Sequence, residues 1–167
     1  INFNVDSVRW YSHLTGVFPD LNKPYLLNIK KKYEYKNSII IIRSLRRQNK
    51  NINFNFLKKI AKECHMPLSY GGNIKSFDDA KKIFNLGFEK IVINSSAFIN
   101  LELITEISKF FGSKSIIGSI DIKKNFFGQK KIYSHHGTKK QSYSVVNWAS
   151  KLVKAGVGEL LITSIDN

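Results

Sequence analysis

From Asn53 onward the chain alternates short apolar runs with longer amphipathic stretches, and this regularity limits the fold more than any other feature. Phe54, Leu57 and Ile60–Ala61 recur at helical spacing, with Lys58, Lys59 and Lys62 on the opposite face. Met66-Pro67 ends that helix and opens the run Leu68-Ser69-Tyr70, which Gly71-Gly72 closes. Ser76 stands where an N-cap belongs, and Asp78 and Asp79 suit the positive end of the helix dipole. Ala80, Ile83 and Phe84 carry this helix to a glycine stop at Gly87. Lys90 to Asn94 is a β-branched strand, and Asn100 is placed to cap a helix through Leu103, Ile104, Ile107 and Phe110–Phe111. Ser115 to Asp121 is the next strand. The polar stretch from Lys123 to Gly137 suggests a hairpin of Phe126-Phe127 against Lys131-Ile132-Tyr133. Ser144 to Ala155 reads as an amphipathic helix stopped by Gly156, and Glu159 to Ser164 as the last strand.

Continuous apolar strands separated by helices imply a parallel sheet covered on both faces, an α/β fold. An open doubly wound sheet and a barrel share this pattern. Residues 1–52 behave differently. Ser38–Ile42, with four consecutive isoleucines, reads as a strand, but Trp10, Tyr11, Phe18, Pro19 and Pro24 before it show no convincing period. The chain thus divides into an atypical basic region, 1–52, and an α/β domain, 53–167.

Charge sharpens that division. Lys+Arg 27 against Asp+Glu 12 gives +15, and residues 1–60 hold 12 of the basic and 3 of the acidic residues. Such an excess points toward anionic partners. Lys, Asn and Ile all have A/T-rich codons, so base composition accounts for much of it. No run of about 18 uncharged apolar residues exists to span a membrane, and no signal-peptide h-region is visible. The single cysteine, Cys64, is expected to be a buried helix residue; it has no internal disulfide partner and no zinc-site spacing. A reduced, cytoplasmic setting follows as the default.

Several motifs then occur in fixed order: Met66-Pro67-Leu68-Ser69-Tyr70-Gly71-Gly72-Asn73-Ile74, Ser76 to Ala80, Gly87 to Ala97, Leu103 to Ile107, Phe111-Gly112-Ser113, Ser119 to Lys123, Trp148-Ala149 and Gly158 to Asp166. Together, over about residues 53–167, they resemble the cyclase subunit of imidazole glycerol phosphate synthase (the HisF family). The resemblance implies a (β/α)8 TIM barrel with its active site at the C-terminal ends of the strands. It implies a cyclase that takes ammonia from a HisH-like glutaminase in a heterodimer. That ammonia joins a bis-phosphorylated nucleotide substrate to give imidazole glycerol phosphate and a carboxamide ribotide, with no cofactor and no metal. In such enzymes two aspartates, ending the first and fifth barrel strands, act as general acid and base. Asp121 matches the fifth-strand aspartate. Gly72, Asn73, Asn94 and Ser95 match positions holding one substrate phosphate, although Asn73 stands where the family has a third glycine. Lys90 and Glu159 match a salt-bridged ammonia gate at the opposite end of the barrel.

The resemblance has limits. Nothing in residues 1–38 resembles the family's first-strand aspartate motif, since Asp6 and Asp20 lack its context. Arg43-Ser44-Leu45-Arg46-Arg47 stands where second-strand carboxylates are expected. Strands 2 to 6 of the barrel are assignable; strands 1, 7 and 8 are not. These departures lead us to expect a fragment or decayed copy without turnover by itself. Two other readings compete. One is a paralogue supplying ammonia for amidation of surface-polysaccharide sugars. The other is a basic nucleic-acid-binding module, using Lys30-Lys31-Lys32-Tyr33-Glu34-Tyr35-Lys36 for phosphate contact and stacking. His135-His136 is a loop pair expected to be solvated.

Overall fold

Several helix starts among the described residues are fixed by short polar side chains that replace missing backbone partners. In α1 (Phe54–Glu63) the Asn53 side chain accepts from the Phe56 N–H at 3.0 Å. In α2 (Phe77–Asn85) Ser76 and Asp79 form a reciprocal capping box. A short helix, α3 (Ser95–Ile99), follows a strand directly and precedes α4 (Glu102–Phe111). Asn100, expected as the cap of α4, accepts from the Glu102 N–H at 3.0 Å, while Leu101 occupies the formal cap position. Ser144 caps α5 (Val145–Ala155), and Gly156 ends it in a left-handed conformation. These details come from a computed structural model that describes residues 8–10, 39–43, 51–125 and 129–165.

The strands are β1 (Val8–Trp10), β2 (Ile39–Arg43), β3 (Leu68–Gly71), β4 (Lys90–Ile93), β5 (Ile116–Lys124), β6 (Lys130–Ser134), β7 (Lys139–Lys140) and β8 (Glu159–Ser164). They form one sheet, in which β2, β3, β4, β5 and β8 run parallel in that spatial order. Their order is the one expected of strands 2 to 6 of a (β/α)8 barrel. Among the described residues the sheet does not close. β1 adds to β2 antiparallel, which no strand of a regular (β/α)8 barrel does.

A hairpin forms here, but Lys131-Ile132-Tyr133 pair with Lys123-Ile122-Asp121 and not with the expected Phe126-Phe127. β5 continues past Asp121 to Lys124, and Asp121 to Lys124 pair with Tyr133 to Lys130. Phe126 and Phe127 lie outside the described residues, as do Asp6, Asp20, the basic stretches at 30–36 and 44–50, and Asp166-Asn167. Cys64 is the half-buried C-cap of α1, its thiol directed at the Met66 carbonyl. No described helix is long and apolar enough to cross a membrane.

The main core lies between the helices and one face of the sheet. Ile41, Leu68, Tyr70, Ile91, Ile93, Ile116 and Ile120 meet Leu57, Ala80, Ile83, Leu103, Ile104, Ile107, Trp148 and Leu152. Phe98 of α3 stacks on Trp148 of α5 at 4.0 Å, and Tyr143 stacks on the same indole at 5.0 Å. This aromatic stack ties the short α3, which follows the tip of β4, to the layer beneath it.

Two glycines test the packing. Both Gly87 and Gly156 have left-handed φ values, +94° and +112°. A Cβ at Gly156 would lie 2.5 Å from the Ser108 Cβ, whereas one at Gly87 would meet nothing within 4 Å. Gly87→Ala is expected to cost about 1–2 kcal/mol from backbone strain alone. Gly156→Ala should add about 1–3 kcal/mol of overpacking. Urea denaturation checks the ordering; equal losses would contradict this account of the α4–α5 contact.

Candidate active site

Strand register determines what faces the inside of the curved sheet. Cross-strand partners share a face and neighbours along a strand alternate. The chain of partners Ile40–Ser69–Lys90, Gly71–Val92–Ile117–Glu159, Ser119–Leu161 and Asp121–Thr163 therefore lies on one face, opposite the helix-covered core. Ile40, Val92, Ile117 and Leu161 form a separate apolar cluster there. Gly71 is small for a reason: a Cβ would lie 2.9 Å from the Val92 Cβ. This inner face is apolar at mid-height and polar at both ends.

At the C-terminal end stand Ser119, Asp121 and Asn94. Ser119 is buried, and the Asn94 amide Nδ2 lies 3.5 Å from its hydroxyl. Burial pushes the Asp121 carboxyl above its ordinary range, and a hydrogen bond from Asn94 partly pulls it back. Asn94 Oδ1 is buried and, among the described residues, accepts no hydrogen bond. A carboxyl that burial pushes upward thus sits beside an amide whose acceptor is unused among the described residues.

The loops after β3 and β4 meet at the same end. Gly72 has φ +145°, a conformation essentially restricted to glycine. Asn73 follows at φ +55°, which asparagine tolerates better than other non-glycine residues. The residue that replaces the expected third glycine therefore still fits the turn. The Ser96 hydroxyl donates to the Ile74 carbonyl and holds this loop against α3. Ser95 Oγ accepts from the His135 N–H at 2.9 Å, tying the β6–β7 turn to the same place. The structure thus gathers Gly72, Asn73, Asn94, Ser95 and Asp121 at one end of the sheet.

Lys90 and Glu159 lie at the other end. Their side chains form an ion pair across the foot of β5, and both remain partly exposed. Among the described residues no group of three or more His, Cys, Asp or Glu side chains is arranged to hold a metal ion.

Comparison with known proteins places this geometry. The family described as "Histidine biosynthesis protein" matches residues 29–167. The chain belongs to that family. The match starts ahead of β2, earlier than the motifs from Asn53 onward. Among similar proteins is "Putative imidazole glycerol phosphate synthase subunit hisF2" of Pseudomonas aeruginosa, 45% identical over 120 residues, 72% of this chain and 48% of that protein. The hisF3 protein of Vibrio vulnificus, similarly named, is 39% identical over 112 residues, 66% of this chain and 43% of that one. "Imidazole glycerol phosphate synthase subunit HisF" of Petrotoga mobilis is 39% identical over 121 residues, 72% of this chain and 48% of its own length. The chain spans about half the length of the curated relatives it matches.

For a histidine biosynthesis family member, some residues at this end were not singled out from sequence. Ser119 reads from sequence as an ordinary strand residue, though its place two before Asp121 puts it on the same face. Tyr133 reads from sequence as a hairpin residue; its pairing with Asp121 brings it to the inner side as well.

The raised Asp121 carboxyl has a stability consequence. A native pKa above the unfolded value of 3.8 means that folding favours the protonated form. The stabilisation is complete below 3.8 and is lost as pH rises through the native pKa. Asp121→Asn removes that penalty while keeping an acceptor for Asn94. The variant is expected to be more stable than the parent at neutral pH, with the difference disappearing below pH 3.8. Thermal melts across pH check this, and an Asn variant weaker at neutral pH would contradict it.

Proposed function

We propose that this chain carries the fifth-strand carboxylate of an imidazole glycerol phosphate synthase cyclase, with Asp121 as a general acid–base group. The observation that carries the reading is Asp121 itself: a half-buried carboxyl on the inner face of β5, beside Asn94, that burial pushes above its ordinary range. Imidazole ring closure requires protons to be removed and returned. A carboxyl whose pKa is moved toward neutrality does both more readily than an ordinary aspartate.

In this reading Gly72, Asn73, Asn94 and Ser95 receive one phosphate of the bis-phosphorylated nucleotide. Backbone N–H groups of a glycine turn and small side chains suit an anion. Ser95 Oγ already accepts from His135, which leaves its O–H to donate. A HisH-like glutaminase binds at the opposite end, and ammonia enters past the Lys90–Glu159 pair. The same architecture serves a second reading, ammonia supply for amidation of polysaccharide sugars. Relatives named hisF2 and hisF3 are numbered as additional copies, which a paralogous role requires.

A graft tests the first reading. Residues 53–165 of this chain would replace the matching segment of the Petrotoga mobilis relative, which supplies the remaining strands. Ammonia-dependent turnover of the bis-phosphorylated nucleotide is expected, falling by about 10²–10⁴-fold in the Asp121→Asn graft. A folded graft without turnover, or full activity with Asn at 121, would overturn the reading.

A further inference from the structure

The ribbon formed by the upper part of β5 with β6 and β7 carries six lysines, at 123, 124, 130, 131, 139 and 140. Register sorts them. Ile122 and Ile132 are partners, and Ile132 is fully buried in the helix-side core. Residues on alternate positions therefore face the other way, toward the mouth. Asp121 pairs with Tyr133, and Tyr133 with Lys140 on its far side; Lys123 pairs with Lys131 in the next row. The mouth side of the ribbon thus presents Asp121, Tyr133, Lys123, Lys131 and Lys140 together.

Two like charges placed directly opposite across a ladder destabilise it. The ribbon does this twice, at Lys123–Lys131 and at Lys124–Lys130. The pairs are not equivalent. Lys124 and Lys130 are exposed, as expected of charges that protect a ribbon edge. Lys123 and Lys131 are half-buried. Among the described residues, no carboxylate forms an ion pair with Lys123, Lys131 or Lys140. Nor, among the described residues, does Asp121 form an ion pair with any of the three. A half-buried pair of ammonium groups beside an acid–base carboxyl needs an external anion.

We propose that Lys123 and Lys131, with Lys140 at the rim, form a phosphate-binding arm over the Asp121 site. It takes a phosphoryl group of the substrate that Asp121 serves. The arm is separate from the Gly72–Asn73 turn and from Asn94 and Ser95. It rests on the cyclase reading for the identity of its substrate, but not for its chemistry. Lysine point charges suit a phosphate that must be held and then released. The ribbon bearing them is fixed at its turn by Ser95, so an anion held there is kept near the loop after β4.

The test uses inorganic pyrophosphate titrated into the full chain by calorimetry. It compares two double variants of equal charge change, Lys123→Gln with Lys131→Gln, and Lys124→Gln with Lys130→Gln. Loss of charge-assisted hydrogen bonds at the mouth face is expected to weaken pyrophosphate binding by about tenfold or more, with the outer-face variant within about twofold of the parent. Equal weakening by both variants, or by neither, would overturn the proposal. Equal weakening together with tight oligonucleotide binding would assign the ribbon to nucleic acid instead. The graft separates the two readings: if it does not turn over the nucleotide while face-selective pyrophosphate binding persists, the arm stands and the cyclase substrate falls.

Discussion

Strand β5 is the element on which the rest of the molecule depends, because it is paired along both edges and its pairing changes partway along. Ile116 to Gly118 pair with β4 on one edge, and Asp121 to Lys124 pair with β6 on that same edge. The other edge carries β8 from Ile117 to Ile122. A shift of one residue would turn Ile116 and Ile120 into the inner face and Asp121 into the helix layer. The fully buried isoleucines make that shift costly, since each loses most of its apolar burial. The position of the Asp121 carboxyl is therefore set by hydrophobic residues on the opposite face of its own strand.

The handover from β4 to β6 explains why the C-terminal end is so crowded. β4 stops at Ile93, and the chain turns at once into α3; β6 then runs antiparallel into the space beyond it. The seam between the two is closed by the His135 N–H on Ser95 Oγ. Two successive non-glycine residues, His135 and His136, adopt left-handed φ values of 51° and 60° before Gly137 at 79°. Such a turn is held from outside: Ser134 Oγ lies 2.8 Å from His135 Nδ1, Gln141 reaches the same hydroxyl at 2.6 Å, and the Thr138 hydroxyl donates to the His135 carbonyl. Histidines that read from sequence as a solvated loop pair thus include a structural turn residue, His135, whose backbone fixes the ribbon against the mouth.

What could be read without coordinates follows from how local each signal is. Ser76 with Asp79, Ser144, and the apolar run from Glu159 to Ser164 were legible because caps and strand composition depend on adjacent residues. Asp121 was legible because it stands in a string of motifs. α3 was not, because five residues of Ser-Ser-Ala-Phe-Ile carry too little period to separate them from a loop. Nor was the full length of β5: Ile122-Lys123-Lys124 looks like a polar loop until β6 supplies its partners. Lysine pairing across the ribbon was equally hidden, since sequence lists charges but not which of them share a face.

The inner face has a layered composition that bears on what could pass along it. Charged Lys90 and Glu159 stand at one end, the apolar quartet Ile40, Val92, Ile117 and Leu161 in the middle, and Ser119, Asn94 and Asp121 at the other. An ion crossing the apolar layer would lose its hydration without gaining a partner, at a cost of several kcal/mol. A small neutral molecule faces a far lower barrier. On the proposed reading, ammonium would be held back at the Lys90–Glu159 end while ammonia proceeds. The proton left behind is one that the Asp121 end need not remove. The same layering separates two polar regions that would otherwise interact: the Lys90–Glu159 pair tolerates exposure to water, whereas the raised carboxyl of Asp121 depends on exclusion from it.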